Sequence, residues 1–178
     1  MSRVGYKPIV VPKTVTISLS RNILSVKGPK GELMQSIPAP LTVRIENSKV
    51  SVSRNVENKQ VKALHGTYRS LISNMIDGVF LGYTKELQVQ GVGFKSAVQG
   101  KKAVFTLGFS SPVELAIPDG IEMKVTNNVN IVLSSINKQL VGDFAARIRL
   151  LYPAEPYKGK GIRFKGEHVR RKVGKKVA

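Results

Sequence analysis

Apolar residues keep a period of two through the first part of the chain and then switch to a helical period. Val15-Thr16-Ile17-Ser18-Leu19 alternates as a half-buried strand does, and Ile23-Leu24-Ser25-Val26 follows it. Gly28-Pro29-Lys30-Gly31 is a strong turn signal, with Lys27 and Lys30 expected at a solvated hairpin tip and contact with another macromolecule as the lesser reading. Leu41-Thr42-Val43-Arg44-Ile45 alternates again, and Val50-Ser51-Val52 completes the run. Val61, Leu64, Tyr68, Leu71, Ile72, Met75, Ile76 and Val79 then fall on i, i+3, i+4 spacing, which predicts an amphipathic helix ended by Gly78 and Gly82.

The same order recurs downstream. Residues 86–90, 94–98, 104–107, 113–116, 122–125 and 130–133 read as strands, with Gln99-Gly100-Lys101 the tightest turn among them. Leu140, Phe144, Ile148 and Leu151 stripe a shorter helix, on which Asp143 and Arg147 are placed for an i, i+4 ion pair. Short echoes link the halves. Asn58-Lys59-Gln60-Val61 returns as Asn137-Lys138-Gln139-Leu140, Ile37-Pro38 as Ile117-Pro118, and Val50-Ser51-Val52 as Val129-Asn130-Ile131. Three echoes in one order at nearly one offset predict a tandem duplication. The fold class expected is therefore α+β: two duplicated domains, each a mainly antiparallel sheet packed by one helix. The boundaries expected are 1–81 and 82–178, with a basic C-terminal tail from about residue 153. No Ser/Pro linker separates the copies, so a fixed relation between them is expected.

Charge changes the picture from fold to partner. The chain has 178 residues and a formal net charge of +18, with 29 Lys+Arg against 11 Asp+Glu. A surface so basic repels itself unless a polyanion neutralises it, and nucleic acid is the usual one. An anionic membrane is the second candidate. No apolar run is long enough to span a bilayer, and the N-terminal residues lack an apolar core of signal-peptide length, so the expected partner is not a membrane and the expected location is the cytoplasm. Cysteine is absent, which removes disulfides and thiolate zinc sites.

The cations concentrate at the end. Lys158, Lys160, Arg163, Lys165, Arg170, Arg171, Lys172, Lys175 and Lys176 stand against Glu167 alone. A solubilising or disordered end is the plain reading of such a run. Its glycines favour binding, because Lys158-Gly159-Lys160-Gly161 alternates cations with residues lacking a Cβ, and such a backbone can lie flat against phosphates. Arg forks two donors onto a phosphate, and Lys acts as a point charge. Tyr157 and Phe164 add rings that can stack or anchor.

Catalytic chemistry finds little support. Gly91-Val92-Gly93-Phe94 lacks the third glycine of a dinucleotide loop, and its glycines read as a strand approached by another backbone, protein or RNA. His65 and His168 are the only histidines, with no carboxylate at ligand spacing, so no metal is expected; His65 reads as a helix-face residue bonding locally. Glu155 and Glu167 are isolated, and no carboxylate pair exists for acid–base work. Neither an enzyme activity, a cofactor nor a small-molecule substrate is expected. The competing class is a free-standing RNA-recognition module that stacks single-stranded bases on strand aromatics, for which Phe94, Phe105 and Phe109 are the candidates.

Residues 154–164, Ala-Glu-Pro-Tyr-Lys-Gly-Lys-Gly-Ile-Arg-Phe, resemble the signature segment of the bacterial large-subunit ribosomal protein L6 family. The resemblance runs end to end, through Ser2–Ile9, Val26–Leu33, His65–Met75, Gly91–Lys95 and Leu107–Val113. Ser111, Tyr152 and Ala154 depart from it, standing where His, Arg and Pro are common. The resemblance implies two domains of one α+β topology, similar to RNA-recognition folds. It implies a structural role in the large subunit, with the second domain on rRNA near the sarcin–ricin loop, beside stalk-base ribosomal proteins and the site of translational GTPases. Carried onto this chain, it adds Gly91, Gly93 and Lys95 of the second domain to the expected rRNA-binding residues. Arg69 and Asn74 match its helix motif, where a solvated or domain-contact role stands beside RNA contact.

Overall fold

The computed structural model describes residues 4–46 and 48–175. The chain divides into two compact units, the first Met1–Gly82 together with Ile136–Lys138, the second Tyr83–Ser135 together with Gln139–Ala178.

In the first unit the order is β1 (Ile9–Val10), β2 (Thr16–Ser20), β3 (Ile23–Gly28), β4 (Gly31–Ser36), β5 (Leu41–Glu46), β6 (Lys49–Arg54) and α1 (Lys59–Phe80). The strands form two antiparallel sheets, β1-β6-β5 and β2-β3-β4, and α1 lies against strands of both. Leu24, Val26, Val50, Val52, Ile72, Ile76 and Val79 meet in one core. The helical period is thus used as expected, with one correction: Gly78 does not end α1 but lies buried inside it, and only Gly82, at φ +76°, follows the end.

Two polar residues of this unit find partners beyond their own neighbourhood. Lys30 is exposed at the hairpin tip, as expected, and is also tied to the end of α1. Its amide donates to the Val79 carbonyl at 3.1 Å, and its ammonium bonds the Leu81 carbonyl at the end of α1. A cation there completes the negative end of a helix with no base in its last turn. Gly28 allows the approach, since a Cβ on it would lie 2.9 Å from the Val79 oxygen. His65 is fully buried and bonds across to the sheet rather than locally: its Nε2 lies 2.8 Å from the Val52 carbonyl and so carries the proton.

In the second unit the order is β7 (Tyr83–Gln90), β8 (Lys95–Gln99), β9 (Lys102–Thr106), β10 (Val113–Ala116), β11 (Glu122–Thr126), β12 (Asn130–Ser135), α2 (Lys138–Leu151) and β13 (Gly161–Phe164). Its sheets are β10-β9-β8 and β11-β12-β7-β13. Val141, Phe144, Ala145 and Ile148 of α2 fill the core with Leu87, Phe105, Ile131, Leu133 and Ile162. The expected Asp143–Arg147 pair does not form among the described residues; Arg149 pairs instead with Glu167.

The duplication is visible in the topology. The β7-β12-β11 order repeats β1-β6-β5, β8-β9-β10 repeats β2-β3-β4, and each set precedes one helix. Val61 and Leu140 are both the third residue of their helices, and Ile37 and Ile117 each directly follow the strand before the matching hairpin. One echo needs correcting. Cross-strand register pairs Ile45 with Val50 and Val125 with Ile131, so Val50 corresponds to Ile131 and not to Val129. In the second copy the hairpin loop runs from 127 to 129, with Asn127 and Asn128 at φ of 55° and 58° and Val129 just before β12.

Candidate nucleic-acid interface

The final strand settles how the basic end is held. Residues expected as a tail include β13, which pairs antiparallel with β7 through Gly161↔Gln90, Ile162↔Val89, Arg163↔Gln88 and Phe164↔Leu87. Ile162 is fully buried, a contribution of about 2 kcal/mol from its side chain alone. Period-two alternation then turns Arg163 to the opposite side of the sheet from that core. Glu167 fastens the far end: its carboxylate accepts from Arg149 Nε at 3.1 Å and from the Phe164 amide at 3.0 Å. The Arg149 hydrogen bond, then the Phe164 amide, hold the Glu167 carboxyl below its ordinary range against the opposing cost of burial. Lys165 is neutralised by Glu86 at 2.6 Å, and its amide bonds the Glu86 carbonyl at 2.9 Å.

Between α2 and β13 the chain makes a closed loop. The Gly159 amide donates to the Glu155 carbonyl at 3.0 Å, the Glu155 amide to Lys160 at 2.8 Å, and the Ile162 amide to Tyr152 at 2.8 Å. These bonds leave Tyr157 and Lys158 exposed at the tip and Lys160 half-buried. The two glycines serve the protein's own backbone, which corrects the expectation that they flatten the chain for phosphate. Gly161 is buried at φ +134°, and a Cβ on it would meet the Pro153 oxygen at 2.6 Å and Ala154 Cα at 2.8 Å. Gly159, at φ +71°, is covered by Arg171. Beyond β13, Arg170, Arg171, Lys172 and Lys175 are exposed; Lys176 lies outside the described residues. Among the described residues Lys158, Lys160, Arg163, Arg170, Arg171, Lys172 and Lys175 form no ion pair.

Two further loops of this unit meet near the segment. Phe94 and Phe109 both contact the Tyr152 ring, at centroid distances of 5.2 and 5.9 Å. Gly91 gives room for the Phe94 ring, 2.6 Å from where its Cβ would be, whereas a Cβ on Gly93 would meet nothing within 4 Å. Between them Val92 is 93% exposed, and Lys95 is exposed at the start of β8. In the first unit, Arg69 is half-buried on α1 with its Nε donating to the Lys7 carbonyl at 3.2 Å, and Asn74 is half-buried on the same helix.

Arg149 carries no sequence expectation, and Glu167 and Tyr152 are expected only as an isolated acid and a departure from the family, yet all three hold the segment in place. The lone acid within a basic run was the available signal for Glu167. Of the candidate stacking residues of the single-strand module, Phe105 is fully buried, whereas Phe94 and the 48% exposed Phe109 lie beside Tyr152. The helix-free face of the four-stranded sheet presents Lys124, Thr126, Glu86, Gln88, Asn130 and Arg163, none aromatic. Among the described residues no group of His, Asp or Glu is placed to hold a metal ion, and no helix is long and apolar enough to cross a membrane.

Comparison with known proteins agrees with this architecture. The family described as Ribosomal protein L6 matches residues 11–82 and again residues 90–165, one match to each copy. The chain is 49% identical over 175 residues to the large ribosomal subunit protein uL6 of Listeria welshimeri, with 98% of both chains covered. It is 46% identical to that of Synechocystis sp. and 48% identical to that of Finegoldia magna, again with 98% of each chain covered. With both copies matched and relatives alike along nearly their whole length, the chain belongs to the ribosomal protein L6 family.

Proposed function

We propose that this chain is a structural constituent of the large ribosomal subunit that binds large-subunit rRNA through its second unit. In this reading it sits near the sarcin–ricin loop at the stalk base, beside other ribosomal proteins, and supports the region where translational GTPases act, in the cytoplasm. The observation that carries the reading is the set of cations that form no ion pair among the described residues, on and just beyond the segment that β13 anchors: Lys158, Lys160, Arg163, Arg170, Arg171, Lys172 and Lys175. Charge fixed on a strand and a closed loop neutralises adjacent phosphates at less ordering cost than the same charge on a free coil. Contacts of this kind fix register and orientation without reading bases, which suits a protein that holds folded RNA. The polar, non-aromatic outer face of β11-β12-β7-β13 favours structured RNA over splayed single strands.

Nucleotide-resolved crosslinking of the full chain to large-subunit rRNA tests the proposal. Crosslinks from residues 157–175 should fall within one structured region that includes the sarcin–ricin loop. Crosslinks scattered over single-stranded stretches would instead support the free-standing module.

A further inference from the structure

The chain has three aspartates, and two of them, Asp77 and Asp119, stand directly before a glycine. Such a pair carries its own chemistry. The glycine amide nitrogen is close to the aspartate Cγ, and with no Cβ on the glycine only backbone opposes the approach. The fold treats the two pairs in opposite ways. Asp77–Gly78 lies inside α1, where Gly78 is buried and the helix holds the backbone about both residues. Asp119–Gly120 lies between β10 and β11, and both residues are exposed. Gly120 takes φ +88°, and its amide makes no hydrogen bond among the described residues. The turn closes on one bond, from the Ile121 amide to the Pro118 carbonyl at 3.2 Å, at the long end of the normal range.

One side chain opposes the reaction. Lys101, between β8 and β9, holds Asp119 Oδ1 at 2.9 Å. Its position is fixed through the backbone, since the Ile117 amide donates to the Lys101 carbonyl at 2.8 Å. The ammonium keeps the Asp119 carboxyl below its ordinary range, chiefly through the hydrogen bond and then through charge. A protonated carboxyl can lose its hydroxyl to a nitrogen nucleophile as water, whereas a carboxylate has no such leaving group. The pair thus keeps Asp119 in its unreactive form and engaged with Lys101 rather than with Gly120.

We infer that Asp119–Gly120 is a site of spontaneous isoaspartate formation and that Lys101 is the residue that restrains it. The Gly120 nitrogen bonds to Asp119 Cγ, and its proton leaves with the carboxyl hydroxyl as water, which closes a succinimide ring. Water then reopens the ring. Attack at the side-chain carbonyl restores aspartate. Attack at the main-chain carbonyl breaks that carbon's bond to the Gly120 nitrogen, and the chain then runs through Cγ with a free α-carboxylate. Nothing is oxidised or reduced, and the water lost is regained. The main chain becomes one methylene longer just before Ile121, a buried residue of the second core.

The test ages the full chain at physiological temperature and neutral pH. An isoaspartyl carboxyl methyltransferase with S-adenosylmethionine marks each free α-carboxylate, and peptide mapping locates the mark. Isoaspartate should accumulate at Asp119 at least about tenfold faster than at Asp77, where the helix must first open locally. Lys101→Ala should speed accumulation at Asp119 by about two- to fivefold, the range for losing an exposed ion pair, and leave Asp77 unchanged. Added salt should speed it in the parent chain but not in Lys101→Ala, because salt screens that pair. Asp119→Glu should abolish the mark at this position, since the longer acid closes the corresponding larger ring far less readily. Equal rates at Asp119 and Asp77 would overturn the site. An unchanged rate in Lys101→Ala, with the amide spectrum of the second unit intact, would overturn the restraint.

Discussion

Replacing Gly161 with alanine isolates the close approach that lets β13 join the sheet. The substitution adds one methyl group where φ is +134° and where Pro153 O and Ala154 Cα would lie at 2.6 and 2.8 Å. The backbone conformation alone costs an L-residue about 1–3 kcal/mol. Crowding against backbone, which cannot swing aside as a side chain does, adds about 1–3 kcal/mol. Together they give roughly 4 kcal/mol, a large share of the roughly 5–15 kcal/mol that holds a typical domain. Gly93→Ala is the matched control. Its φ is +80°, but a Cβ there would meet nothing within 4 Å, so only the conformational part remains, about 1–2 kcal/mol. At about 4–8 °C per kcal/mol, Gly161→Ala should lower the melting temperature of the second unit by roughly 15–30 °C and Gly93→Ala by about 5–15 °C. Amide resonances of β7 and β13, followed against temperature, report the unit directly. Equal shifts for the two variants would refute the close-approach argument, since they differ chiefly in what the new methyl group meets.

Three other outcomes are expected. Residues 82–178 alone should retain most rRNA affinity while residues 1–81 bind weakly at similar net charge; equal filter-binding affinities in matched salt would contradict the role given to clustered charge. Replacing Lys158 and Lys160 together with alanine should flatten the log–log salt dependence of RNA binding by roughly 0.7–0.9 for each phosphate no longer neutralised, with little change in sequence preference. The Glu167 carboxyl is held below its ordinary 4.5 in the folded protein, mainly by Arg149, so its stabilising effect is present above that value and is lost as pH falls through the lower folded value. The Phe164 amide resonance should therefore shift in acid below about pH 4.5, and Glu167→Gln should remove that step; a shift that persists in the variant would place its origin elsewhere.

The duplication is legible in the sequence because its anchors sit at fixed points of each copy. Ile37 and Ile117 lie just after corresponding strands, and the repeated Asn-Lys-Gln opens both helices. Register at the hairpin is not legible in the same way, because alternating residues look alike when slipped by two. Only cross-strand pairing shows that Val129 belongs to the loop. Of the candidate site, the cations follow from composition, but their support does not. Gly161-Ile162-Arg163-Phe164 carries a period-two signal that the surrounding charge obscures. A glycine's missing side chain likewise does not say whether protein or RNA fills the space, and at Gly159 and Gly161 it is protein. Lys30 and His65 find partners far along the chain, at Leu81 and Val52, beyond the reach of local pattern.

The place of β13 in its sheet bears on when this protein can mature. Its partner β7 begins at Tyr83, whereas β13 ends at Phe164, so the pairing must wait for almost the whole second copy to be translated. The first unit, nearly complete by Gly82, can begin to fold while synthesis continues. Until Phe164 has been made, the outer edge of β7 remains open to wrong pairing. The cations of residues 157–175 emerge with the same stretch that closes this edge. A nascent chain therefore acquires its completed sheet and its charged binding surface almost together, and a truncated product lacks both.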